Sequence, residues 1–175
     1  MKINLILIFL FAFFSTRTYA TQSLLQLEFL KGCWQAPEGQ NGQDIRIESW
    51  SDGNKGTLVG SVKTIVQQGE EKGDNFSQQI QLDATNGVAI YKVIMPEPGN
   101  PQNIFVLSSS ITGAESKAVF KLTSSYSDRI KAVIVAYVSN SPNQLQVTFD
   151  VTLADGSKVP TYGYLYQRTS CLEGN

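Results

Sequence analysis

From residue 33 onward, apolar and polar residues alternate in short runs broken at near-even intervals by turn residues. The clearest run is Gln144 to Leu153, where Leu145, Val147, Phe149 and Val151 alternate with Gln144, Gln146, Thr148, Asp150 and Thr152. A two-residue period puts one set on a dry face and the other on a wet one. The same reading predicts β-strands at 33–36, 43–50, 57–66, 75–83, 88–94, 103–108, 117–122, 129–138, 144–153 and 161–168. Asn86-Gly87 and Asp155-Gly156 between them favour the positive φ of tight hairpins. The run 129–138 is apolar on both faces in its second half, so it is expected to pack at one end against another element, the N-terminal segment being the candidate. That segment carries Leu24, Leu25, Leu27 and Leu30, with Ser23 and Gln26 at capping-box spacing and Gly32 as a stop, and it predicts a short helix. About ten strands joined by short connections predict an all-β fold: an up-and-down antiparallel β-barrel with a short N-terminal helix.

The first twenty residues stand apart from this pattern. Lys2 precedes an apolar run from Ile3 to Phe14, and Thr18-Tyr19-Ala20 offers a small-x-small cleavage site. The run is shorter than the roughly 20 residues a membrane span needs. Residues 1–20 are therefore read as a secretory signal peptide and 21–175 as one barrel domain. The expected destination is the periplasm or the medium, with no membrane span in the mature form. Leu30-Lys31-Gly32-Cys33 resembles a lipid-attachment box only faintly, because Lys31 occupies a small-residue position.

Composition narrows the chemistry. The 175 residues contain no His, which removes His-based nucleophile activation, His-ligated metals and a proton shuttle near neutral pH. The formal charge is −1, and loss of Lys2 and Arg17 with the signal makes the mature chain more acidic. No basic field recruits nucleic acid, and no cofactor is expected. Counting twelve from Asp52 lands on Lys63, so the Asp52–Gly56 loop does not fit a calcium-binding EF-hand. An even cysteine count in an exported chain favours a disulfide between Cys33 and Cys171, with buried or exposed free thiols as the alternatives. Such a bond would set the first and last elements side by side.

Gly32-Cys33-Trp34 after a short helix forms a GxW pattern, and Arg168 ends the last strand. Together they resemble the calycin or lipocalin-like barrels, in which a Trp near the first strand plugs one end and an Arg from the last strand packs over its indole. The chain further resembles a bacterial family of exported lipocalin-like domains of unknown function. The matching segments are Phe29-Leu30-Lys31-Gly32-Cys33-Trp34, Glu48-Ser49-Trp50, Gly56-Thr57-Leu58-Val59-Gly60, Ala118-Val119-Phe120 and Asp128-Arg129-Ile130. That family usually carries a His-Asp pair where this chain has Ser127-Asp128. The resemblance implies structural roles for Gly32, Trp34 and Arg168, and it implies no activity.

Two rows of residues are the candidate binding walls. Arg46, Glu48 and Trp50 share one face of the second strand, and Tyr162, Tyr164, Tyr166 and Arg168 share one face of the last. Facing inward, each row would line a lumen and offer polar anchors to a ligand. Facing outward, the first is a solvated ion pair with a rim Trp, and the second an aromatic ladder. Tyr91, Phe105 and Tyr137 are further wall candidates or plain packing residues. No spacing places two acids across a cleft for glycoside hydrolysis. The expectation is non-catalytic binding of a small, partly hydrophobic molecule. The alternatives are a protein-interaction module with a filled barrel, or an enzyme of unknown reaction. The oligomeric state is left open.

Overall fold

A computed structural model describes residues 24–38, 44–66, 71–83, 87–125 and 127–171. The expected signal peptide and the Ser23 cap lie outside the described residues. Ten strands run β1 (Gly32–Glu38), β2 (Asp44–Asp52), β3 (Leu58–Ile65), β4 (Glu71–Leu82), β5 (Ala89–Ile94), β6 (Gln102–Ile111), β7 (Ser116–Ser124), β8 (Ile130–Ser141), β9 (Gln144–Leu153) and β10 (Tyr162–Thr169). Each pairs antiparallel with its sequence neighbour, and β1 pairs with β10 to close the barrel.

The strands match the alternation, with differences at their ends. β4 starts at Glu71, four residues ahead of the expected start, because Glu71 and Lys72 pair with Ile65 and Thr64 across a bulge. The ladder continues there although the apolar alternation has stopped. β8 likewise runs on to Ser141, leaving Pro142-Asn143 as a two-residue turn. Gly87 and Gly156 adopt positive φ, 70° and 87°, as their hairpins require.

The N-terminal segment departs from expectation. In place of a confirmed α-helix the structure has a three-residue 3-10 turn, Glu28–Leu30, without a side-chain cap. Its side chains tie it to β6 and β2. Its Gln26 Oε1 accepts a hydrogen bond from Ser110 on β6, and Lys31 bridges Glu28 at 2.6 Å and Asp52 at 2.7 Å. Outward-facing Ile134 on β8 stays 36% exposed. The turn instead seals one end of the barrel, where Leu27 and Leu30 are fully buried with Leu58 and Ile80.

Trp34 is the plug of that closed end. Its ring is completely buried, and its indole N–H donates to the Leu30 carbonyl at 2.7 Å. The Arg168 guanidinium lies 4.3 Å over the ring while its Nε donates to the Pro142 carbonyl at 2.7 Å. Gly32 is required beneath it, since φ is +120° and a Cβ would collide with that guanidinium. Cys33 and Cys171 stand at disulfide distance with Cα atoms 5.1 Å apart.

The β1–β10 seam holds only three residue pairs, Cys33 with Thr169, Trp34 with Arg168 and Gln35 with Gln167. A bond closing a loop across 138 positions constrains the unfolded chain strongly. Replacing both cysteines with serine is expected to lower the unfolding free energy by about 3–5 kcal/mol. Urea denaturation reads this directly, and an unchanged midpoint would show that the three-pair seam closes the barrel unaided.

Candidate functional site

The inward faces of the strands form layers. Just inside the plug lies a polar layer centred on Glu48, which is 2% exposed. Three donors converge on its Oε1: the Trp50 indole N–H at 2.8 Å, the Tyr137 hydroxyl at 3.1 Å and the Gln78 amide at 3.4 Å. The Tyr91 hydroxyl lies 3.2 Å from that of Tyr137 and donates to Gln78 Oε1. Among the described residues no buried side-chain nitrogen or oxygen lacks a hydrogen-bond partner. Burying a carboxylate is costly unless donors replace its water, and here indole, phenol and amide do so together.

The rest of that layer is aromatic. Tyr91 stacks on Phe105 with centroids 5.3 Å apart, and Trp50, Phe120 and Tyr137 meet it at tilted or edge angles. Gly60 faces Trp50 across the β2–β3 ladder, and a Cβ there would come within 2.9 Å of the indole. Burial raises the phenol pKa values of Tyr91, Tyr137 and Tyr166 well above the ordinary value near 10, and the charge of Glu48 pushes each further.

Beyond this layer lies a second set of inward-facing residues. Arg46 on β2 donates through Nε to the Tyr166 hydroxyl at 3.0 Å and through Nη1 to Glu38 Oε1 at 3.4 Å. Glu38 also accepts from Thr64 Oγ1 at 2.6 Å and from the Tyr164 hydroxyl at 3.1 Å. Phe149 stacks on Tyr162 at 5.1 Å, and Tyr164 meets Phe149 edge-on at 6.4 Å. By strand parity Phe76, Val93, Leu122 and Val133 face the same space, and all are only partly buried.

The structure brings the two candidate rows together. Arg46, Glu48 and Trp50 all face inward and are buried. Tyr166 is inward at 1% exposure, Tyr164 is half-buried, and Tyr162 stands at the rim at 49%. Arg168 is displaced from this row's space to the outside of the plug, over Trp34. Tyr91, Phe105 and Tyr137 belong to the closed, packed layer. The sequence reading missed Gln78, Thr64, Glu38, Phe76 and Phe149. Gln78 had a visible signal: it is the polar member of an otherwise apolar row with Phe76, Ile80 and Leu82. Glu38 similarly shares a face with Trp34 and Ala36.

Among the described residues no cluster of three or more acids and cysteines could hold a metal ion, and no helix is long and apolar enough to cross a membrane. A groove of about 580 Å³ lies at the plug end, between the N-terminal turn, the β2–β3 hairpin and the end of β4, lined in part by Leu24, Leu25, Lys55, Leu58 and Leu82.

Two measurements test the polar layer. Glu48→Ala leaves three buried donors without their acceptor and is expected to cost about 3 kcal/mol, against about 1 kcal/mol for Glu48→Gln. Equal urea midpoints for the two variants would refute the role given to the carboxylate. The tyrosines set an alkaline limit. Their folded pKa values lie above their unfolded ones, so the unfolded chain loses phenol protons first. Stability is full below pH 10 and falls as pH rises above it. Absorbance titration should show these three phenols ionising only as the barrel unfolds; their ionisation in a folded barrel near pH 10 would contradict it.

No family model and no curated protein matches the sequence. Among solved structures the chain is similar to Rv2717c from M. tuberculosis, with a TM-score of 0.57 and 13% identity over 84% of this chain and 97% of that one. The likeness is one of fold, a ten-strand antiparallel β-barrel.

Proposed function

We propose that this domain is an exported, non-catalytic binder that takes a small, partly hydrophobic molecule in the open end of its barrel. The observation carrying this reading is that Phe76, Val93, Leu122, Val133, Phe149 and Tyr164 face inward yet remain partly exposed. Eight-strand barrels are just filled by their own side chains, and barrel diameter grows with strand number. Ten strands therefore leave room where large side chains do not converge. The plug of Trp34 and the Glu48 layer close the opposite end, giving a cup with a dry floor. The Gly32, Trp34 and Arg168 contacts support placing the chain with lipocalin-like exported domains, and the cysteine pair supports an oxidising compartment.

A second reading, a protein-interaction module, is favoured by the outer groove and by Leu25, which is 62% exposed beside it. The two readings place binding at opposite ends of the barrel.

Nile red, a neutral apolar dye, separates them. Binding with one-to-one stoichiometry is expected, and Val93→Trp, which fills the cup, should weaken it about tenfold. Leu25→Ser, in the groove, should leave it unchanged. The reverse pattern would overturn the cup. Native mass spectrometry after mild purification should likewise show a co-purifying small molecule that Val93→Trp loses.

A further inference from the structure

The open end presents its charges unequally. The guanidinium of Arg46 is covered by rings, with Tyr164 at 4.6 Å and Phe76 at 5.5 Å. Its edge is engaged by the Tyr166 hydroxyl and by Glu38. The Arg46 side chain is only 10% exposed, whereas that of Glu38 is 23% exposed. The cation is thus sheathed, and the carboxylate is what the cup shows to an incoming molecule. Beneath them Glu48 adds a second, buried acid. Tyr164, which donates to Glu38, meets Phe149 edge-on, and Phe149 lies nearly parallel to Tyr162. Aromatic faces attract cations, and a carboxylate in a partly dry cup strengthens that attraction.

From this we infer that the cup selects an amphipathic cation: an amine whose ammonium group seats on Glu38 against the rings of Tyr164 and Phe149. Its apolar part lies along Val93, Leu122 and Val133. The inference rests on the binding reading above and adds the charge class of the ligand. An anion would find the Arg46 faces covered and its edge engaged, with two carboxylates nearby. A neutral chain would gain only the apolar wall. Arg46 serves as a positioning residue, holding Glu38 and Tyr164 in register through the ion pair and the stacked ring.

The test is a calorimetric titration of the purified protein with three probes of equal chain length: octylammonium, octanoate and 1-octanol. Octylammonium is expected to bind at least tenfold more tightly than either of the others. Glu38→Gln removes the charge and keeps a hydrogen-bonding group, its oxygen accepting from one of Thr64 and Tyr164 and its amide donating to the hydroxyl of the other, and it should erase the preference of octylammonium over octanol. Phe149→Leu keeps the cup apolar and should weaken octylammonium severalfold more than it weakens octanol. Octanoate binding as tightly as the amine would overturn the inference, and so would a preference that survives in Glu38→Gln. If octanol binds and displaces Nile red but the amine gains nothing, the charge preference fails and the binder stands. If none of the three displaces the dye, both readings fall. Because the native protein alone ranks the three probes, a variant that fails to fold leaves the inference decidable.

Discussion

The structure depends on a seam of three residue pairs. Nine of the ten strand pairings join sequence neighbours, through hairpins whose closure entropy is small. The β1–β10 pairing alone brings the two ends of the domain together, and it is also the shortest ladder. Its neighbourhood is correspondingly reinforced: Cys33 and Cys171 flank it, Arg168 stacks on Trp34 within it, and Gly32 provides the clearance that the guanidinium needs. An unclosed meander would expose two long strand edges, which invite pairing with other chains. Closure removes both.

Closure then dictates what the interior holds. Ten strands enclose more space than a ring of ordinary side chains fills, and the chain meets the excess differently at its two ends. At the plug the N-terminal turn contributes Leu27 and Leu30 from outside the sheet. In the middle the space is spanned by long side chains, Glu48, Gln78, Trp50 and the tyrosines, whose polar tips meet at the barrel centre. Such a layer is stable only if every member is satisfied, and the convergence on one carboxylate oxygen achieves that. Toward the other end Phe76, Val93, Leu122, Val133 and Phe149 are only partly buried.

Much of this was legible along the chain. Alternation located all ten strands, because one wet face and one dry face leave a period of two wherever a barrel wall meets water. The Cys33, Trp34 and Arg168 positions pointed to the seam. Depth within the barrel was not legible. Tyr162, Tyr164 and Tyr166 are identical in type and share one face, yet their exposure falls from 49% to 1% over five residues. Where a residue sits between mouth and floor depends on strand tilt and on which neighbours face it, and neither leaves a local mark. The tertiary role of Gln26 was not legible for a related reason. Gln26 is engaged by Ser110 on β6, eighty-four positions away, so a tertiary contact uses the side chain that local spacing assigned to a cap.

The absence of imidazole acquires structural meaning at the Glu48 layer. General acid–base catalysis favours groups that titrate near the working pH. The phenols that surround this carboxylate are driven the other way: burial raises them, and the acid they shelter raises them further. At neutral pH they stay protonated and act as hydrogen-bond donors. Tyr166 extends the same logic toward the cup, accepting from Arg46 and so holding the base that in turn holds Glu38. A hydrogen-bonded chain from the buried floor to the rim, with every phenol locked in its neutral form, is a scaffold for holding charge in place. It supplies rigidity and a set electrostatic field, in keeping with the binding role proposed above.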